Sequence, residues 1–245
     1  MDRAYYHEMA ALEDAHWWFE ARRQILKSVL DRLPLPSGGT VLEVGCGTGG
    51  NLGLLSGYGR LYACEPDAEA CALATAHGHA DVAPGGLPDA LPFGALTFDL
   101  VAMLDVLEHV EADTESLRAV YARLKPGGVL LMTVPAYRFL WSRHDEVNHH
   151  VRRYVRKAVV ARLREARFEV RHATYFNTVL FPVVAAVRML GKLRGQDGGS
   201  DLAMPSAGVN RLLRRIFAAE RHLVPFVTLP FGVSILAVGV RPLVG

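Results

Sequence analysis

The chain has 245 residues, 51% of them hydrophobic, and a formal net charge of +2. This length and apolar content allow a large buried core and indicate one α/β domain with additions. Because the charge is almost balanced and the basic residues are spread along the chain, the composition argues against a nucleic-acid partner.

The first 33 residues predict a helix, because apolar and aromatic side chains recur at helical spacing until Pro34. Trp18 and Arg22 are four residues apart and therefore share a face of this helix. We expect residues 1–36 to form an N-terminal helical cap. The cap either docks its aromatic side chains on the core or forms a lid over the mouth of a cofactor or substrate site.

A glycine-rich turn follows the first predicted strand, in the stretch VLEVGCGTGGN at 41–51. Gly45, Gly47 and Gly49 make a tight strand-to-helix loop whose backbone N–H groups can approach a ligand closely. The turn also satisfies the pattern G-x-G-x-x-G, and Glu65 follows twenty residues after Gly45. That combination is the fingerprint of dinucleotide binding, in which the carboxylate takes a ribose hydroxyl. The turn alone therefore leaves a dinucleotide cofactor open.

Short apolar runs then alternate with helical segments. The predicted strands are 41–45, 60–65, 80–83, 98–104 and 129–134, and the predicted helices are 49–56, 67–77 and 113–124. Such alternation is typical of a doubly wound parallel sheet, in which ligands bind at the carboxyl ends of the strands. Three cysteines in the first two units form no C-x-x-C pair, and the N-terminus has no apolar signal segment. We therefore expect buried thiols and a cytoplasmic protein.

The polar stretch at 134–154 follows the fifth predicted strand, where an acceptor would enter this fold. His144 or His149 could serve as a general base, since histidine titrates near neutral pH. Arg152 and Arg153 could grip a phosphate or carboxylate. Two alternatives remain for this stretch: a solvated, hydrogen-bonded loop, and a zinc site. The zinc ligands would be His144, Asp145, His149 and His150.

About fifty residues separate the last two predicted strands, 168–176 and 232–242, and we expect a helical insertion at about 177–230. Its apolar run TVLFPVVAAV is too short to span a bilayer. A linker-like segment, 195–201, leads to a basic amphipathic helix. The basic face carries Arg211, Arg214, Arg215 and His222. The insertion either packs on the sheet with a solvated basic face, meets an anionic membrane surface, or covers a lipid-like substrate.

The wider spelling of the glycine turn, E-V-G-C-G-T-G, places Glu43 two residues before the first glycine. It resembles motif I of the class I S-adenosylmethionine (SAM) methyltransferases. Further matches follow in the family's order: Glu65, LPF at 91–93, TFDLV at 97–101, LEHV at 107–110 and LKPGG at 124–128. The resemblance implies an α/β, Rossmann-like sheet of seven strands with an antiparallel last strand, formed by residues 37–245.

The same resemblance implies roles for several residues around the cofactor SAM. The glycine loop with Glu43 would meet its methionine part, and Glu65 its ribose hydroxyls. Family members often carry an acidic residue before the LPF motif for the adenine amino group, whereas this chain has Leu87. Adenine recognition is then left to backbone groups or to Asp89. Asp105, after the fourth strand, lies next to the donor site.

Asp105, Glu108 and His109 would share one face if their segment were helical. Their spelling resembles that of the ubiquinone-pathway O-methyltransferases, which implies a magnesium site for a catechol acceptor. The alternative is a structural helix cap with His109 facing the substrate. We expect the second arrangement and no resident metal.

These observations predict a SAM-dependent methyltransferase that transfers a methyl group to an oxygen, or secondarily a carbon, of a small-molecule or lipid-linked acceptor. His109, His144 and His149 are the candidate catalytic residues, and peripheral membrane contact is a further expectation. Two other classes stay open. One is a nicotinamide-dependent oxidoreductase, which is disfavoured because no second mononucleotide-binding half follows. The other is a non-catalytic module that binds SAM at a membrane surface.

Overall fold

The apolar runs of the sequence form one seven-stranded sheet in a computed structural model that describes residues 3–193 and 203–243. The strands are β1 Thr40–Val44, β2 Arg60–Glu65, β3 Asp81–Pro84, β4 Phe98–Leu104, β5 Leu124–Pro135, β6 Glu169–Phe176 and β7 Ser234–Val240. Their order in the sheet is β3-β2-β1-β4-β5-β7-β6. Strands β1 to β5 pair in parallel, and β7 is antiparallel to both of its neighbours. The predicted seven-stranded fold with an antiparallel last strand is confirmed.

Helices cover both faces of this sheet. They are α1 Arg3–Leu12, α2 Trp17–Leu30, α3 Leu52–Leu55, α4 Ala68–Ala76, α5 Asp113–Arg123, α6 Arg143–Val147, α7 Arg156–Glu165, α8 Phe181–Leu193 and α9 Ala207–Ala218. Leu100 and Ala102 of β4 pack into one apolar layer with α2 and α9. Val101 and Met103 point the other way, toward α5 and α7. Because alternate residues of a strand point to opposite faces, the central strands are apolar on both sides.

The N-terminal segment differs from the single helix that its spacing predicts. Residues 13–16 break it into α1 and α2, and His16 caps α2 by accepting a hydrogen bond from the backbone N–H of Trp18 at 3.4 Å. Glu13, in the break, accepts a hydrogen bond from Oγ1 of Thr48 at 2.7 Å. Both side chains are buried although they are polar. The interruption depends on these two residues, and the helical spacing of the apolar residues does not predict it.

The segment between β6 and β7, where we expect the insertion, contains α8 and α9, and α9 packs on the N-terminal helix α2. Asn210 of α9 accepts from the backbone N–H of Trp17 and donates to the carbonyl of Ala15, both at 2.8 Å. Arg214 forms an ion pair with Glu20. The predicted linker at 195–201 lies outside the described residues. Within the described ranges, no helix is long and apolar enough to cross a bilayer.

Candidate active site

The glycine loop after β1 has its three predicted glycines in left-handed conformations, with φ of +67° at Gly45, +56° at Gly47 and +101° at Gly49. A Cβ added at Gly45 would lie 2.7 Å from Cγ2 of Val106, and one at Gly49 would lie 3.0 Å from Cα of Ala74. Gly47 differs, because the nearest atom to its Cβ would be the flexible Met9 Cε at 3.6 Å. Two glycines therefore let the loop pack tightly, and Gly47 is the one with space beside it.

Two predicted carboxylates adjoin this loop. Glu65, at the end of β2, accepts hydrogen bonds from the backbone N–H groups of Gly47 at 2.9 Å and Asp67 at 3.2 Å. Glu43 is buried and accepts from Nδ2 of Asn51 at 3.1 Å. Its second carboxylate oxygen has no partner among the described residues. Burial raises the pKa of Glu43 to about 8.

The other two predicted donor-site residues lie at neighbouring loops. Leu87 is half-buried in the loop after β3. Asp105 follows β4 with a positive φ of 61°, and its carboxylate accepts from Nη2 of Arg22 at 2.6 Å and from Oγ1 of Thr133 at 3.1 Å. A positive φ is uncommon outside glycine, but aspartate tolerates it.

The N-terminal helices lie across this edge of the sheet. Met9 of α1 lies beside Gly47, as noted, and Tyr6 is buried near Glu65, where burial raises its pKa to about 12. From α2, the buried Arg22 reaches Asp105 and also donates to Oγ1 of Thr133 at 2.8 Å. Sequence reasoning noted the face that Trp18 and Arg22 share, and the guanidinium does lie 5.1 Å from the Trp18 ring centroid. It missed Arg22 as a residue of the site.

A second polar group lies after β4 and β5. Glu108 and His109 belong to the 3-10 turn Leu107–His109, and His150 comes from the loop after α6. One potential ligand atom from each of these three side chains lies within 4.8 Å of the others. The rings of His109 and His150 are perpendicular, with centroids 4.6 Å apart. We call Glu108, His109 and His150 the Glu-His-His cluster.

Burial dominates the electrostatics of this cluster. Glu108 is 0% exposed, and neither of its carboxylate oxygens has a hydrogen-bond partner among the described residues. Burial, with the nearby charge of Asp105, raises the pKa of Glu108 well above its ordinary value. Burial and the neighbouring His150 lower the pKa of His109 to about 4.

Asp145 holds His150 of this cluster in place. It is fully buried and accepts two hydrogen bonds from Arg153, at 2.7 Å and 2.9 Å, and one from the backbone N–H of Ser142 at 2.8 Å. Nδ1 of His150 lies 2.8 Å from its Oδ1. Burial alone would raise the pKa of Asp145, but the hydrogen bonds from His150 and Arg153 hold it below its ordinary value.

The structure separates residues that the sequence grouped together. Asp105 is not in the Glu-His-His cluster, because its segment forms only a short 3-10 turn and its carboxylate is held by Arg22. The condition for a helix face shared with Glu108 and His109 is therefore not met. His144 is half-buried, with its ring 5.8 Å from that of His150. His149 is exposed with a φ of +54° and is not part of the cluster.

Arg152, expected to grip an anionic acceptor group, instead forms ion pairs with Glu111 and Asp113. Sequence reasoning also kept Glu108 and His150 in two separate candidate sites. The one signal for their meeting was that both segments follow neighbouring strands of the predicted sheet.

Comparison with known proteins agrees with this geometry. The methyltransferase domain family matches residues 17–178, which is more than half of the chain. The malonyl-[acyl-carrier protein] O-methyltransferase of Enterobacter lignolyticus is 29% identical over 187 residues, covering 72% of this chain and 71% of the relative.

Two solved structures share the fold. A chain from the complex between the Haloferax volcanii Trm112 methyltransferase activator and a methyltransferase superposes with a TM-score of 0.62 and 21% identity, covering 98% of this chain and 95% of that one. Phosphoethanolamine N-methyltransferase 2 of Haemonchus contortus, in complex with SAM, superposes with a TM-score of 0.57 and 17% identity, covering 89% of this chain and 52% of that one.

The strand order and the glycine loop at the carboxyl edge define the Rossmann-like class I methyltransferase fold. The chain belongs to the methyltransferase domain family, and it is a SAM-dependent methyltransferase. This decides the choice of cofactor that the glycine turn left open. The residues present fit SAM, since a loop with three left-handed glycines and the Glu65 carboxylate adjoin at the ends of β1 and β2.

Proposed function

We propose that this enzyme transfers the methyl group of SAM to an oxygen of a small-molecule or lipid-linked acceptor. The observation that carries the proposal is the position of the imidazoles. β1 pairs with β4, and β4 with β5, so the donor loop and the group of histidines after β4 and β5 lie at adjacent strand ends. A hydroxyl acceptor loses a proton during transfer, and an imidazole suits that task near neutral pH.

Different residues of the chain would have different roles in the reaction. SAM supplies an electrophilic methyl group, and the glycine loop with Glu65 would hold the donor. His144 would take the proton of the acceptor, and His109, whose pKa is lowered to about 4, would be the weaker base of the two. Arg22 ties the N-terminal helices to Asp105 at the end of β4, so that α1 and α2 would close the donor site against water.

The likeness to a malonyl-[acyl-carrier protein] O-methyltransferase supports oxygen as the acceptor atom. That relative acts, by its name, on an acceptor carried by another molecule. The proposal for this chain extends to a carried acceptor of a different kind, one attached to a lipid.

The lipid-linked acceptor is supported by exposed apolar side chains in the insertion. They are Val179, Val183, Val187, Met189, Leu190, Met204, Val209, Leu212, Leu223, Phe226, Val227 and Phe231. Helix α8, which carries several of them, is joined to the loop after β5: Arg188 donates to the carbonyl of Leu140 at 2.6 Å and Lys192 to that of Phe139 at 2.8 Å. An apolar surface next to the loop after β5 suits an apolar substrate or the membrane that holds it.

The test is a methyl-transfer assay with radiolabelled SAM and three acceptor classes. They are a thioester whose acyl group carries a free carboxylate, a phenol, and a primary amine. Each is offered with and without a polyprenyl tail in liposomes. We expect label in the carboxylate or phenol and more of it when the tail is present. Label in the amine alone would overturn the proposal that the methyl group is transferred to oxygen. Tight binding of SAM in calorimetry with no transfer to any class would instead favour a non-catalytic module.

A further inference from the structure

The Glu-His-His cluster has the composition of a metal site. Its three side chains come from segments about forty residues apart, yet one ligand atom of each lies within 4.8 Å of the others. Two imidazole nitrogens and a carboxylate oxygen form a mixed set that suits Zn²⁺ and similar divalent transition metals, whereas Mg²⁺ prefers oxygen ligands alone.

Glu108 gives an independent reason to place a cation there. Its side chain is completely buried, and both carboxylate oxygens are without hydrogen-bond partners among residues 3–193 and 203–243. A carboxylate in such a position is costly unless a cation or donors compensate it. One carboxylate oxygen of Glu108 lies within 4.8 Å of a nitrogen of each histidine, so one ion would satisfy Glu108 and both imidazoles together.

The outer partner of His150 follows the pattern of metal sites. Nδ1 of His150 is held by Asp145 at 2.8 Å, which leaves Nε2 for a ligand. A metal-bound histidine normally gives its other ring nitrogen to a carboxylate or a backbone carbonyl, which fixes the ring. Asp145 is itself fixed by Arg153.

We propose that Glu108, His109 and His150 bind one divalent transition-metal ion of the Zn²⁺ type, with Asp145 as the residue that positions His150. This revises our expectation of no resident metal. It also differs from the magnesium arrangement that the sequence suggested, because Asp105 is held by Arg22 and His150 takes its place.

The proposed ion changes the roles of the histidines in the methyl transfer to oxygen. This step therefore rests on the proposed function. His109 becomes a ligand, and removal of the acceptor proton falls to His144. A cation beside the donor edge would also lower the pKa of an acceptor hydroxyl.

The test measures metal binding without SAM or acceptor, so that its failure is separate from failure of the proposed function. The chelator-treated protein is titrated with ZnCl₂ in a calorimeter and with CoCl₂ in a visible absorption spectrometer. We expect one ion per chain, and a loss of affinity of at least about 100-fold in Glu108→Gln and His150→Asn. Asp145→Asn should lose about 10- to 100-fold if it folds.

His149→Asn is the matched control, because His149 is adjacent to His150 but exposed and outside the cluster. Its affinity for Zn²⁺ should equal that of the unmodified protein. Zn²⁺ should raise the melting temperature of the unmodified protein and of His149→Asn, but not that of Glu108→Gln. The proposal is wrong if the unmodified protein takes up no Zn²⁺ or Co²⁺, or if Glu108→Gln and His150→Asn bind as it does.

Discussion

The two halves of the sheet's carboxyl edge are built in different ways. The part after β1 and β2, which we propose holds SAM and call the donor half, is made of backbone: left-handed glycines and the N–H of Gly47, which donates to Glu65. The part after β4 and β5, which we propose receives the acceptor and call the acceptor half, is made of buried side chains that contact one another, with Asp145 between Arg153 and His150. We infer that substitutions that add a side chain impair the donor half, whereas substitutions that remove a side chain impair the acceptor half.

The largest effect should come from the acceptor half, in Asp145→Ala. The side chain of Arg153 is 2% exposed and would be left as a buried charge without its partner, which typically costs about 3–5 kcal/mol. Urea unfolding at pH 7 measures the loss. Glu146→Ala, at an exposed neighbouring position, should change stability by less than about 0.5 kcal/mol. Equal losses in the two variants would contradict the comparison.

In the donor half, Gly47→Arg should lower SAM affinity by at least about 100-fold, or about 2.7 kcal/mol. The arginine would fill the space beside the loop that Gly47 leaves. Gly47→Ala is the matched control, since a Cβ fits at 3.6 Å from Met9 and only the left-handed backbone is strained, by about 1–2 kcal/mol. Calorimetric titration with SAM compares the two. If both variants bind SAM as the unmodified protein does, the loop does not hold the cofactor.

Two buried carboxyls, one in each half, should respond to pH with opposite signs. The pKa of Glu43 is raised to about 8, so the folded state keeps its proton while the unfolded chain loses it near 4.5. Its contribution is complete below pH 4.5 and is lost as pH rises toward 8. The pKa of Asp145 is lowered, so its contribution is present above its ordinary value and is lost in acid.

Glu43→Gln tests the first of these signs. Between pH 5 and pH 7.5 the unmodified protein should lose about 3 kcal/mol of stability that the variant retains. The glutamine keeps an oxygen that can accept from Asn51, so the hydrogen bond at Glu43 is preserved. Urea unfolding at the two pH values gives the difference. A variant whose stability falls with pH as steeply as the unmodified protein would show that Glu43 is ionised in the folded state.

The smallest effect concerns the contact between the halves, in Arg22→Met. Losing the hydrogen bonds to Asp105 and Thr133 would loosen the N-terminal helices from the end of β4. We expect SAM to bind about tenfold more weakly, chiefly because it dissociates faster. Lys27→Met, on the same helix but in an exposed pair with Asp31, should leave the dissociation rate unchanged. Stopped-flow displacement of SAM distinguishes the two variants.

The features of the donor half that could be predicted are local ones. The glycine turn, Glu65 at the end of a strand and the alternation of strands with helices follow from the spelling of short segments and from strand periodicity, whereas the antiparallel last strand came from the family resemblance. Glu13 and Arg22 were missed, because their approach to Thr48 and Asp105 depends on how a broken helix crosses the sheet.

The acceptor half could be predicted only in outline. His149 and His150 are adjacent and alike in sequence, but His149 is exposed while His150 contacts Asp145. The backbone conformation of the loop decides between them. The meeting of Glu108 with His150 depends on two loops about forty residues apart, which no local pattern specifies.

The place of β7 between β5 and β6 also governs the order in which a growing chain can assemble. During translation, β5 and β6 emerge well before residues 234–240 and cannot pair with β7 until those residues leave the ribosome, so two strand edges stay open until late. Helix α9, which supports α2, emerges late as well. The glycine loop and Glu65 are synthesised long before either. A nascent chain therefore has its donor loop before it has the backing that holds the N-terminal helices over it.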